Sequence, residues 1–487
     1  MGEVRVYPSR DQFEALRDFT NVPVAVSQEI LLPPNWLISL WEEFNPYFLI
    51  SESLRDGGPY SPYSYAAVLE KPLIYLKGDE IGSLDENFLS TVDVFKDLGN
   101  GSSPKIEGLP PFQGGYWTLL SYEMASYLEP YLKGRIKTSS LPGLVLFEVK
   151  EFLAYGYRDQ RLFLVDTKDP GSSFPLKERY DQRIKSLFSR LNLLKERLTK
   201  DMKRDLGQKG LEYEPLTHMQ DFLSKVQYLK DLIKAGECIQ AVLSQRFRVS
   251  TPSNPFEVYT RLRQQDPSPY CTFLRLNDFY LIAASPEMLI RHEDGLLISR
   301  PIAGTRARAK NALEDKLIED SLLGDPKELA EHMMLVDLAR NDLGRVSVPG
   351  SVKMAKLKIV ERYSNVMHMV SEVVARPLPH LDLFHLLQAT FPAGTVTGAP
   401  KIRAMEIIEE VEMIPRGPYA GGFGFIGYNG FLDLGITIRS AFGTKDEMYV
   451  QAGAGIVNDS VPSLEYQETL NKGRSLLKAF QGGGDDI

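Results

Sequence analysis

Residues 239–249, IQAVLSQRFRV, alternate as a strand does. Gln240, Val242, Ser244 and Arg246 fall on one face and Ala241, Leu243, Gln245 and Phe247 on the other, because successive strand side chains point to opposite sides. Further strands are expected at 279–284, 296–300, 433–441 and 448–454, interleaved with helical patterns near 325–340, 381–389, 400–412 and 463–479. Strands outnumber regular β-α-β units. The expected class is therefore α+β, a large antiparallel, sandwich-like sheet core flanked by helices, and not a doubly wound parallel sheet.

The first 170 or so residues read as short strands and turns with few helices. Pro33-Pro34 opens a helical pattern that puts Trp36, Leu37, Leu40, Trp41 and Phe44 on one face. Proline at a helix start sacrifices no internal hydrogen bond. Ile184, Leu187, Phe188, Leu191, Leu194 and Leu198 mark a longer helix, whose charged tail, 195–210, reads as a solvated linker. The second half starts near Pro215. Its first helix, with Phe222, Val226, Leu229 and Ile233 on one face, is expected to stop at Gly236. The chain thus divides into 1–205 and 215–480, expected to share one continuous α+β core, with a disordered GGGDDI tail and no internal repeat.

Composition narrows the function classes. Net charge is −8 without a basic stripe, so no nucleic-acid partner is expected, and an anionic substrate needs a local cationic pocket. Two cysteines, Cys238 and Cys271, exclude a disulfide framework and a Cys-rich zinc site. No run of 18 uncharged apolar residues predicts a membrane span, and MGEVRVYPSRDQFEALRDF lacks the apolar core of a signal peptide. A reducing, cytoplasmic setting is expected.

Two acidic pairs could carry chemistry. Glu328 and Glu331, in DPKELAEHMMLVDLARND, stand three apart on a predicted helix, and Glu465 and Glu468 repeat the arrangement in SLEYQETLNKGRSLLKAF. Carboxylates converging from two helices would suit a hard cation such as Mg²⁺. Taken alone, the commoner explanation is two solvated helix faces. The histidines show no zinc spacing: Glu331-His332 is not HExxH, and His380 and His385 lie off a shared face. His368 sits among apolar neighbours, where a satisfied core histidine is the ordinary outcome. FPAGTVTGAPKIRAMEI (391–407) lacks GxxxxGK[ST], which leaves a small-residue loop whose following helix has free N–H groups that could bind a carboxylate. QAGAGIV (451–457) reads as a glycine turn after a strand, allowing close backbone approach to a ligand. Neither a GxSxG elbow nor a glutaminase-type cysteine is present.

Together these segments resemble the chorismate-utilising enzymes, and among them the component I subunits of anthranilate synthases. The resemblance covers most of the chain and is dense from about 215 to 480. It rests on IQAVLSQRF, DPSPY, ASPEMLIR, RPIAGTRAR, DPKELAEHMMLVDLARNDLGRVSVPGSV, ERYSNVMHMVS, FPAGTVTGAPKIRAMEII, YAGGFGFIGYNG and QAGAGIVNDSVPSLEYQETLNK, in the family's order. So many long segments outweigh the commoner explanation of each one separately.

The resemblance implies that Glu328, Glu331, Glu465 and Glu468 hold Mg²⁺ against the ring carboxylate of chorismate, making C2 open to attack. It implies that Glu287, in ASPEMLIR, protonates the departing C4 hydroxyl, a role that needs a carboxyl protonated near neutral pH. It assigns Gly304, Thr305, Tyr419, Arg439, Lys472 and the backbone of Gly453, Ala454 and Gly455 to substrate carboxylates. His368 is placed at proton removal during pyruvate elimination, and Thr395 against the substrate.

Two positions discriminate within the resemblance. Members that add water carry a lysine where this chain has Gln240; ammonia already has a usable lone pair, so a neutral amide suffices. Aminodeoxychorismate synthases commonly carry PIKGT, whose lysine attacks C2; here PIAGT places Ala303, which has no nucleophile. Anthranilate is therefore expected, with aminodeoxychorismate formation, a C2-aminating enzyme that retains the pyruvyl group, and a non-catalytic chorismate- or tryptophan-binding relative as the alternatives. Ammonia is expected from solution or from a separate glutaminase subunit, component II. The 1–205 region is expected to carry a tryptophan feedback site built from Glu52 and Ser53 of ISES with Pro269, Tyr270 and Cys271. The family's LLES is altered here, Cys271 replaces an apolar residue such as Met, and GTRARA replaces GTRPRG.

Overall fold

The computed structural model describes residues 3–33, 36–40, 45–54, 63–84, 88, 103–168, 175–199, 212–250, 254–362, 366–379 and 381–481. It is α+β: two large antiparallel sheets face one another, with helices packed outside. The larger sheet, of 13 strands, runs from Val4–Tyr7 at one edge through Tyr47–Glu52, Tyr270–Leu276, Phe279–Ser285, Ser440–Thr444 and Met448–Ile456 to Gln240–Val249 and the edge strand Tyr213–Pro215. The second, of 10 strands, orders Ile302–Ala307, Val366–Ala375, Leu296–Ser299, Met288–Glu293, Leu432–Ile436, Gly422–Gly427, Gly115–Leu120, Pro142–Val149 and Ile74–Lys77, with Lys353–Arg362 also paired to Val366–Ala375.

Both sheets are stitched from the two halves of the chain. Tyr47–Glu52 pairs with Tyr270–Leu276, setting Glu52 opposite Cys271, and Gly115–Leu120 pairs with Gly422–Gly427. Between the sheets lies one core that takes Leu49, Tyr65, Leu274 and Leu281 from the larger and Trp117, Leu144, Ile290 and Phe425 from the smaller. A second core fills the outer face of the larger sheet beneath the helices Leu176–Leu198, Pro255–Gln265 and Pro462–Gln481.

The helix Met219–Lys234 ends at Gly236, whose φ of 83° lets the amides of Gly236 and Glu237 turn back onto Ile233 and Leu232. The predicted strand 433–441 is two strands in different sheets, Leu432–Ile436 and Ser440–Thr444; Arg439, at φ 48°, makes the corner between them. QAGAGIV is not a turn. Gly453 and Gly455 stand inside the strand Met448–Ile456, opposite Ser244 and Val242. The strand Gln240–Val249 is buried on both faces, so its polar side is interior as well. Trp36–Leu40 forms a short 3₁₀ segment, while Trp41, Phe44, His380, most of the predicted linker and the GGGDDI tail lie outside the described residues. No helix among the described residues is long and apolar enough to cross a membrane.

Candidate active site

The acidic pairs project from two separate helices. Pro326–Gly344 starts at Asp325, whose carboxylate accepts from the amides of Lys327 and Glu328, with Pro326 at the first helical position. Glu328 and Glu331 follow within its first turns; Glu465 and Glu468 occupy the start of Pro462–Gln481. The two pairs feel one another. Burial raises the pKa of Glu331, and the charges of Glu328 and Glu468 raise it further; burial also raises Glu465, with Glu468 adding to it. Cations offset this concentration of negative charge: Arg306 lies 2.8 Å from Glu328, Lys472 lies 2.7 Å from Glu468 while donating to the Gly453 carbonyl at 3.1 Å, and the Lys327 charge acts on both Glu331 and Glu465.

Glu287 follows the strand Phe279–Ser285 and is buried. Loss of hydration pushes its carboxyl up to about 7, with the Thr395 hydroxyl and the Lys472 charge pulling the other way. Thr395 Oγ1 and Gln240 Oε1 are both buried without a hydrogen-bond partner of ordinary geometry. Unpartnered buried polar atoms cost about 1–3 kcal/mol each, a cost that a polar ligand relieves. Gln240 Nε2 lies 3.5 Å from Glu331 Oε1, which joins this cluster to the acidic helices.

Glycines let the pieces approach. At Gly304 (φ 67°) a Cβ would stand 3.0 Å from a Glu328 oxygen, so the bulge between Ala303 and Thr305 brings the backbone against the carboxylate. The next residue, Thr305, bonds the buried His368 ring, Oγ1 to Nδ1 at 2.9 Å. A Cβ on Gly453 would stand 2.7 Å from the Tyr419 hydroxyl, and one on Gly455 would collide with the Gln240 amide. Between them the Ala454 methyl turns into an apolar cluster with Phe222 and Ile407, leaving only its backbone on the site side.

Arg439 is placed differently from the rest. Its guanidinium pairs with Asp266 at 3.2 Å, toward the turn that carries Pro269 and Tyr270. Of the residues expected around tryptophan, Glu52, Ser53, Pro269 and Tyr270 line a pocket with Phe425 and Asp433, and Tyr270 donates to Asp433 at 2.8 Å. The Glu52 carboxylate and the Cys271 thiol turn to the opposite face. Glu52 accepts from Arg263 at 2.8 and 2.9 Å, from Tyr259 at 2.5 Å and from Ser64 at 2.9 Å, and Cys271 packs with Tyr259 and Phe273. Strand alternation is the reason: neighbours of the pocket-facing Ser53 and Tyr270 must face away. Sequence reading passed over Arg306, Asp266, Glu412 and Arg416. A Glu-x-x-x-Arg spacing at the end of a predicted helix was the available signal for the last two.

Mg²⁺ takes oxygen ligands, and Glu328, Glu331, Glu465 and Glu468 all supply them. Carboxylate oxygens from two helices, with the pKa of Glu331 raised by charges on both, are the kind of donors a hard dication takes. Among the described residues, no group of three or more His, Cys, Asp or Glu side chains stands close enough together to hold a metal ion, so the four carboxylates would have to draw in around one.

Comparison with known proteins agrees with the fold and these segments. Residues 51–478 match the family model described as chorismate binding enzyme, and the chain belongs to that family. Among its relatives is anthranilate synthase component 1 of Pseudomonas putida, 36% identical over 97% of this chain and 98% of that protein. The same enzyme from Acetivibrio thermocellus is 35% identical over 98% and 99%. The crystal structure of anthranilate synthase component I from Streptococcus pneumoniae superposes with a TM-score of 0.70 at 32% identity, covering 92% of this chain and 99% of that one. Within the family the chain therefore stands with the anthranilate synthase component I enzymes, which are lyases. The menaquinone-specific isochorismate synthase of Escherichia coli, 17% identical with a TM-score of 0.66 over 98% of this chain and 95% of that one, shares the fold.

Proposed function

We propose that this chain converts chorismate and ammonia to anthranilate and pyruvate, the first committed amination of the tryptophan pathway. The observation that carries the proposal is Glu287, an acid buried beside Thr395 and Lys472 whose carboxyl burial pushes up to about 7, so that much of it keeps its proton at neutral pH. Hydroxide is a poor leaving group, and a carboxyl of this kind can protonate the C4 hydroxyl so that water departs. Ammonia bonds to C2 as the C4–O bond breaks, with the Gln240 amide, next to Glu331, orienting its lone pair. His368, steered by Thr305, then takes the C2 proton. The C3–O bond breaks, the side chain leaves as enolpyruvate, which takes a proton on its methylene carbon to become pyruvate, and the ring becomes aromatic.

Lys472, Tyr419 and the Gly453–Gly455 backbone bind the substrate's carboxylates; Arg439 joins them if it exchanges Asp266 for the ligand. Glu328, Glu331, Glu465 and Glu468 would hold Mg²⁺, which when bound neutralises the ring carboxylate and withdraws electrons from C2. Ala303, buried in its strand, offers no nucleophile for a covalent route. A glutaminase partner, component II, supplies ammonia in this reading, and tryptophan occupies the pocket of Ser53 and Tyr270.

Incubating the purified chain with chorismate, Mg²⁺ and ammonium tests the proposal. Fluorescent anthranilate should form with no added lyase. Product that appears only after adding an aminodeoxychorismate lyase would transfer the chain to para-aminobenzoate synthesis. Binding of chorismate without turnover would make it a non-catalytic relative.

A further inference from the structure

Behind the proposed substrate site lies a buried ion pair with no part in the chemistry above. Glu412 ends the helix Lys401–Val411, and Arg416 follows four residues on. Their bond is two-pronged: Arg416 Nε reaches Glu412 Oε2 and Nη2 reaches Oε1, each at 2.8 Å. Two further donors go to two carbonyls, Nη1 to Val396 at 2.7 Å and Nη2 to Val242 at 2.8 Å. Glu412 Oε1 in turn accepts the Ser244 amide at 2.7 Å and its hydroxyl at 2.9 Å. The guanidinium carbon lies 4.9 Å from the Tyr122 ring centre and 5.6 Å from that of Tyr419.

Three segments meet at this pair, and each carries a residue of the proposed site. Val242 stands two residues from Gln240 on the same strand face; Val396 follows Thr395; Tyr419 lies in the turn that starts just after Arg416. Stability alone is a poor reason for such a pair. Desolvating two charges offsets most of their attraction, and apolar side chains of equal volume often stabilise a core as well or better. What an apolar pair lacks is direction. A planar guanidinium fixes the angles between a carboxylate and two carbonyls at once, and a lysine ammonium does not reproduce that fork.

We infer that Glu412 and Arg416 are a positioning pair, holding the Thr395 loop and the Gln240 strand in the geometry that the reaction needs. The inference rests on the reading that Thr395 and Gln240 flank the reacting substrate.

The test uses the full chain with chorismate, Mg²⁺ and ammonium. Arg416→Lys and the milder Glu412→Gln are each crossed with Thr395→Ala. Displacing a reacting group by about 1 Å can cost about 100-fold in rate, so kcat of Arg416→Lys should fall on that order while KM moves less than about threefold. Action through Thr395 requires the double variants to be no slower than the slower single. Losses that multiply, or a fall in kcat matched by the unfolded fraction, overturn the pairing. Amide hydrogen exchange gives a readout free of turnover. Faster exchange confined to 240–244 and 394–399 is expected, and exchange unchanged there or raised evenly along the chain overturns it. If the wild-type chain makes no anthranilate, the amination reading fails, and the exchange pattern still decides the role of the pair.

Discussion

The side-chain amide of Gln240 fills the space that a Cβ on Gly455 would need. Gly455 lies in an ordinary extended strand, and the atom in the way is the far end of a flexible side chain. Gly455→Ala should therefore fold with a thermal midpoint close to wild type while pushing the amide off its place beside Glu331. A fall in kcat of about 10- to 100-fold is expected from a misplacement of this size. Gly398→Ala makes the contrast. There φ is 147°, and the obstacle is the Gln240 carbonyl, so stability should drop instead. Equal effects of the two substitutions on midpoint and rate would count against an orienting role for Gln240.

This relationship also marks how far the sequence could be read. Alternation in IQAVLSQRFRV identified the strand and the face of Gln240, because side-chain period is a local property. The acidic pairs were visible as i, i+3 spacings, and their approach from two helices followed only from the family resemblance. The glycines at 453 and 455 were misread as a turn. Their function is to leave space for Tyr419 and Gln240, which come from elsewhere in the chain, and no local pattern encodes such a partner. The corner at Arg439 was missed for a similar reason: residues 433–441 look like one strand until two sheets compete for them. Glu52 shows the opposite case. Its motif was recognised, but the face it points to depends on a register fixed by pairing with Tyr270–Leu276.

Glu287 gives a pH dependence with a definite sign. Its pKa rises from 4.5 to about 7 on burial, so the native state holds the proton more tightly than the unfolded chain. Stability linked to this group is fully present below the unfolded pKa and declines as pH rises through about 7. Glu287→Gln removes that decline. The variant should gain in thermal midpoint relative to wild type at pH 8 but not at pH 4. In the wild type, kcat should fall as pH rises past about 7, because the acid that protonates the leaving group is then ionised. In Glu287→Gln, turnover should drop by a factor of about 100–10,000, the usual contribution of a positioned acid, with chorismate affinity within about threefold. Unchanged turnover would remove Glu287 from the reaction.

The mutual repulsion among Glu328, Glu331 and Glu468 predicts how the fold responds to a dication. An ion bound only by the folded chain raises stability by about 2.7 kcal/mol at one hundred times its dissociation constant. Mg²⁺ should therefore raise the thermal midpoint, and EDTA should abolish turnover without unfolding the protein. Glu331→Gln removes one of the repelling charges, so without metal it should melt no lower than wild type, yet lose the Mg²⁺-induced rise. Scanning calorimetry with and without Mg²⁺ decides this. A wild-type midpoint indifferent to millimolar Mg²⁺ would separate these carboxylates from metal binding.

The tryptophan pocket separates residues that hold the fold from residues that meet the ligand. The Glu52 carboxylate is fully buried, two-pronged on Arg263 and bonded by Tyr259 and Ser64, on the far side of the sheet from Ser53 and Tyr270. Truncation at Glu52 strands a buried guanidinium, and breaking such a pair costs about 3–5 kcal/mol. Glu52→Ala should accordingly lose much of its urea midpoint and affect tryptophan only through lost structure. Ser53→Ala should leave the midpoint nearly unchanged while shifting the tryptophan concentration for half-inhibition, because its hydroxyl faces the pocket side without a protein partner. Measuring urea curves and inhibition curves on both variants separates the two roles. If Glu52→Ala keeps its midpoint and loses only tryptophan sensitivity, the carboxylate belongs to the ligand after all, and the sheet must rearrange to present it.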